Sequence, residues 1–203
     1  MTRYAGGRGD ALRRTLAVEA ARLMAEHGID DFGFAKRKAA ERFGTFEGAV
    51  LPSNAEIEVA LREYQRLFEA DTHGDTVRSL RQTALVAMEM LQDFTPRLVG
   101  PVLAGTATRN TEVQLHVFSE RPEALTIRLM DTAVPHELVE RRVKLRADAW
   151  ALTPAVRFGV ATVTVDALVF PLDGLRQAPL SATDGRPLRR ATIDELRVLL
   201  SAQ

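Results

Sequence analysis

The chain has 203 residues, 46% of them hydrophobic, enough to bury a core in one domain or in one domain plus a helical region. Lysine plus arginine balances aspartate plus glutamate at 27 each, which removes any global attraction to nucleic acid or anionic membrane and makes a nucleic-acid partner an unfavoured expectation. The absence of cysteine excludes disulfides, thiolate metal sites and cysteine nucleophiles, and fits an expected cytoplasmic location.

In chain order, "ALRRTLAVEAARLMAEHG" from Asp10 places Leu12, Leu16, Ala20, Leu23 and Met24 on one helical face and stops at Gly28. This opening has no uninterrupted apolar stretch of the kind a secretory signal needs, and no later run reaches the ~20 apolar residues of a membrane span. "FAKRKAAERFG" fits a second, shorter helix closing at Gly44, and "TFEGAVLPS" reads as a loop. Ser53 or Asn54 then caps a third helix, in which Ile57, Leu61, Tyr64 and Leu67/Phe68 recur at helical spacing. A fourth, "DTVRSLRQTALVAMEMLQDF", carries the stripe Val77, Leu80, Ala84, Ala87/Met88 and Leu91 and ends before Pro96.

The period changes after residue 96. "RLVGPVLAG" and "TEVQLHVF" read as strands, the second alternating Val113, Leu115 and Val117 against Glu112, Gln114 and His116. A helix with Pro122 in its first turn follows, then two strands, "HELVERRVKLRA" and "VRFGVATVTVDALVF", with Pro154 in the loop between them. A Pro/Gly-punctuated tail leads to a last helix capped by Thr192. The expected class is α+β, with a helical region over 1–95 and a mixed four-stranded sheet with flanking helices over 96–203.

Two stretches resemble known families. The first, "AARLMAEHGIDDFGFAKRKAAERFG", is similar to the opening of TetR-type regulators, which would imply an all-helical DNA-binding chain; yet the segment in the recognition-helix position, "TFEGAVLPSN", contains helix breakers. The second, "RLVGPVLAGTATRNTEVQLHVF", resembles the core of the polymerase-beta-type nucleotidyltransferase superfamily. In that pattern a Gly-Ser turn approaches the phosphates, and carboxylates on neighbouring strands hold two Mg²⁺ ions. The resemblance implies phosphate contact by Gly105 and Thr106, and Mg²⁺ held by Glu112 and Asp166 as the catalytic carboxylates. Gln114 stands on the second aspartate; a neutral amide there cannot bridge two cations, so the expected activity is degenerate or absent.

His116 continues the Glu-x-Gln-x-His row, and the other three histidines have no spacing that shares a site with it. Arg176, Arg186, Arg189 and Arg190, with Ser181 and Thr183, lie in a long loop of the kind that often binds, and Arg176 and Arg186 are the anion contacts it suggests. The expected partner is a nucleotide or another phosphorylated small molecule. The alternative is a non-catalytic scaffold for a protein or RNA.

Overall fold

A computed structural model describes residues 5–29, 31–44, 51–146 and 148–202. Residues 45–50, most of the expected loop "TFEGAVLPS", lie outside them. The chain divides into two compact units, one of residues 1–74 with 108–110, the other of 75–107 with 111–203.

The first unit packs helices α1 (Ala5–His27), α2 (Phe32–Arg42) and α3 (Asn54–Phe68). Leu16, Ala20, Ala21 and Met24 of α1 bury against Ala35 and Ala39 of α2 and Ile57 and Leu61 of α3. Alanine on the facing helices removes side-chain bulk and loses no rotamer entropy, which favours close approach. Asp31 caps α2 through the Phe34 amide. Ser53 caps α3 in a reciprocal box with Glu56, whose carboxyl is held below its ordinary range chiefly by the hydrogen bond from the Ser53 amide.

The second unit is built on a five-stranded sheet in the order β1-β2-β5-β4-β3. The strands are β1 (Arg97–Val99), β2 (Val113–Phe118), β3 (His136–Arg146), β4 (Ala149–Val160) and β5 (Val163–Phe170). Among the described strands only the β2–β5 pair is parallel. Helix α4 (Ala70–Met90) begins before the Thr72-His73-Gly74 stretch expected to precede it, and its apolar stripe belongs to the core beneath the sheet. Helices α5 (Gly100–Ala104), α6 (Glu123–Asp131) and α7 (Ile193–Ser201) complete the unit.

Two expected strands are each divided. Gly100 adopts φ +73, a left-handed conformation that ends β1, and Pro101 then starts α5 at a position where its missing N–H costs nothing. The last strand turns back at Ala161 and Thr162, so that Val160 pairs with Val163 and β4 and β5 form a hairpin. Pro154, expected in a loop, lies within β4 opposite Glu140 of β3. It falls just past Ala155, where the β4–β5 pairing ends, so no ladder bond to β5 is lost.

The sheet has two unlike faces. Val113, Leu115 and Val117 of β2, Val165, Ala167 and Val169 of β5, and Val156 and Phe158 of β4 share a core with α4, α6 and α7. Alternation therefore turns Gln114, His116 and Phe118 of β2, Asp166, Leu168 and Phe170 of β5, and Ala155 and Arg157 of β4 to the opposite side. This sheet excludes the all-helical TetR-type architecture.

Candidate functional site: an arginine-clamped carboxylate pair

Gln114 of β2, Asp166 of β5 and Arg157 of β4 are consecutive cross-strand partners. Their side chains thus form one row on the sheet face away from the main core. Glu112 extends the row from the residue just before β2.

The two predicted carboxylates are brought together, and an arginine joins them. Arg157 donates from Nε to Asp166 Oδ1 at 2.9 Å and from Nη2 to Glu112 Oε2 at 2.8 Å. Arg141 donates from Nε and Nη2 to Asp166 Oδ2 at 2.8 and 2.5 Å. The Asp166 side chain is 6% exposed, whereas Arg141 and Arg157 are each 34% exposed. Hydrogen bonding to Asp166 is the main cause that raises the Arg157 guanidinium above its ordinary range.

Arg141 reaches Asp166 only because the sheet coils. Arg141 pairs with Thr153, whereas Asp166 pairs with Arg157, four residues further along β4 and one strand beyond it. In a flat sheet that offset is about 13 Å along the strands and about 10 Å across them, too far for the two side chains to meet. The right-handed twist of the long β3–β4 ribbon brings the guanidinium over the face.

This arrangement does not fit Mg²⁺ at Glu112 and Asp166, the metal and catalytic roles expected of them. A hard divalent ion needs anionic oxygens free to coordinate it. Both oxygens of Asp166 and one of Glu112 already accept charge-assisted hydrogen bonds, and two guanidiniums cancel the two carboxylates. The second oxygen of Glu112 is the one left without a guanidinium, where a hard divalent ion takes several oxygen ligands. Among the described residues, no group of three or more His, Asp or Glu is placed to hold a metal ion.

Gly105 and Thr106 serve a helix end. Gly105, at φ +78, is the left-handed C-cap of α5 and donates to the Pro101 carbonyl, as does the Thr106 amide. The buried guanidinium of Arg81 donates to the carbonyls of Val102 and Leu103. The turn thus has the negative end of a short helix satisfied from within, unlike a nest of amides aimed at phosphate.

His116 is 2% exposed and accepts at Nδ1 from Arg190 Nε at 3.0 Å. Burial, then the Arg190 charge, pushes it down to about 3, so it is neutral at physiological pH. Arg190 also donates to the Gly174 carbonyl and lies over the rings of Phe118 and Phe170 at 5.1 and 5.7 Å.

The tail arginines separate. Arg176 lines a cleft of about 750 Å³ between the loop 171–178 and the adjoining ends of β3, β4 and β5. Arg186 lies in the small turn 181–187, outside the lining of that cleft, and its amide donates to Asp184. Arg190 holds His116. The residues that organise the polar face, Arg141 and Arg157, carry no motif of their own. Arg157 stands nine residues from Asp166 across a two-residue turn, whereas Arg141 is one of several charged residues in β3 and nothing in its sequence context sets it apart. Neither a protein-family profile nor a curated protein sequence matches this chain. Among the described residues, no helix is long and apolar enough to cross a membrane.

Proposed function

We propose that this chain is a nucleotidyltransferase-like protein that binds a nucleotide or another phosphorylated ligand without divalent metal and without transferring a nucleotidyl group. The observation that carries the reading is the pair of guanidiniums oriented by Asp166. In a metal-dependent enzyme, carboxylates hold the cations that hold the phosphates. Here Asp166 instead holds Arg141 and Arg157, and the rotamers of both are fixed before any ligand arrives. Arg157 Nη1 makes no hydrogen bond to a described residue and remains available to an anionic oxygen.

The two guanidiniums and two carboxylates sum to zero, so attraction for a triphosphate is weaker than at a site with two Mg²⁺ ions. Gln114 contributes no charge to the row. Without a cation to activate a hydroxyl or to neutralise a leaving pyrophosphate, the row binds and does not catalyse.

Titration calorimetry of ATP, GTP, CTP and UTP, first in EDTA and then in excess Mg²⁺, tests this reading. The expected result is binding of at least one nucleotide in EDTA, no tightening with Mg²⁺ beyond that of the free nucleotide's own charge screening, and a loss of tenfold or more in Arg157→Ala. Binding that appears only with Mg²⁺, or that Arg157→Ala leaves unchanged, would overturn it. A scaffold for another macromolecule is the second reading. It is favoured by Leu138, Trp150 and Leu152 on β3 and β4, which are 68%, 51% and 67% exposed.

A further inference from the structure

The cleft containing Arg176 has a composition unlike that of the polar row. Its walls are apolar, with Leu145, Leu152, Pro154, Phe170 and Pro171 among them, and Arg146 and Arg176 supply the positive charge. Asp173 is the one acidic residue in the lining. Unlike Arg141 and Arg157, both cleft arginines are exposed and have no carboxylate partner among the described residues. A volume of about 750 Å³ lies within the range of small-molecule sites, and an apolar surface with a few convergent polar groups is their usual composition.

The cleft is formed by defined structural devices. A register shift between Lys144 and Arg146 marks a bulge in β3 at Leu145 and Arg146, the two residues that β3 contributes to the cleft. The opposite wall is a 3-10 turn at Leu172–Leu175, followed by a segment whose Leu180 amide donates to the Lys144 carbonyl at 2.7 Å. That bond ties the loop to the bulged strand. Phe170 is fixed from behind by its ring contacts with His116 and Phe118.

We infer that this cleft binds a small organic acid with an apolar, ring-sized body, whose phosphate or carboxylate head is held by Arg146 and Arg176. The body lies against Leu152, Pro154 and Phe170, and the head stays at the exposed rim where its charge remains partly hydrated. Glu112, Arg141, Arg157 and Asp166 do not line the cleft. This inference and the nucleotide reading therefore fail independently.

The experiment uses the full chain and the intrinsic fluorescence of three probes: 1-naphthyl phosphate, 1-naphthoate and neutral 1-naphthol. Saturable binding of at least one acid is expected, with 1-naphthol at least tenfold weaker. The tighter of the two acids identifies the head group. In Arg146→Glu/Arg176→Glu the affinity for that acid falls tenfold or more, with the circular dichroism spectrum unchanged because both residues are exposed. Leu152→Glu, at a wall position 67% exposed, weakens the acid by the same order through its apolar body and serves as the reading if the double variant loses structure. Equal binding of 1-naphthol and the acids, or unchanged affinity in whichever of the two variants folds, overturns the inference.

Discussion

Asp166 and His116 occupy neighbouring strands on the same face of the sheet, at 4% and 2% exposure, and they solve burial of an ionisable group in opposite ways. Around Asp166 the charge is compensated by two guanidiniums that also reach solvent. At His116 the charge is absent, and the buried imidazole offers a lone pair to an arginine whose own charge lies over aromatic rings. The difference follows from the neighbours. An arginine beside a carboxylate favours the charged form, whereas an arginine beside an imidazole favours the neutral one. One face thus carries a charged, solvent-reaching cluster at Asp166 and a neutral, packed one at His116.

Acid breaks the comparison most severely. His116 is held below its ordinary 6.5, down to about 3, so the unfolded chain takes up a proton across that window and the folded chain does not. Its contribution to stability is complete above pH 6.5 and is lost as pH falls toward 3, amounting to on the order of 5 kcal/mol over the whole window. Denaturant unfolding between pH 7 and pH 4 is expected to show a shallower acid loss in His116→Gln than in the unaltered chain. Parallel pH profiles would remove His116 as the cause.

Substitution at Asp166 is the next largest effect. Asp166→Asn keeps the shape and leaves Arg141 without its carboxylate and Arg157 with Glu112 alone, at a cost of about 3 kcal/mol, the lower end for a broken buried pair because both arginines are a third exposed. Chemical denaturation measures it, and added phosphate should restore part of the loss if the guanidiniums accept an anion. A change under about 0.5 kcal/mol would mean that the clamp contributes little. The smallest effect is expected at Glu112→Gln, where the carboxylate is 36% exposed and holds Arg157 by one nitrogen. A loss below about 1 kcal/mol is expected, one that 0.5 M salt largely removes.

Much of the architecture was legible in the sequence, because short-range rules govern it. The alternation of Val113, Leu115 and Val117 placed β2 and its two faces, and the boxes at Ser53–Glu56 and Thr192–Glu195 mark helix starts that depend on local hydrogen bonds. What was missed depends on single backbone decisions. Gly100 divides what reads as one apolar strand, and Ala161, at φ 52, reverses a Val/Thr-rich run with no Gly, Asn or Pro at the turn to announce it. Once that reversal is known, the Arg157–Asp166 pairing follows from counting residues outward from the turn. Arg141 could not have been found this way, because its reach depends on the coil of the whole ribbon.

Gly100 has a second consequence, for the side chain at position 114. A β-carbon at Gly100 would lie 2.5 Å from Gln114 Oε1, so the amide of Gln114 is stowed against the backbone that glycine leaves open. A side chain at 100 would therefore displace that amide from its place opposite Asp166. The neutral member of the polar row thus depends on a glycine just past the end of β1, on the neighbouring chain segment.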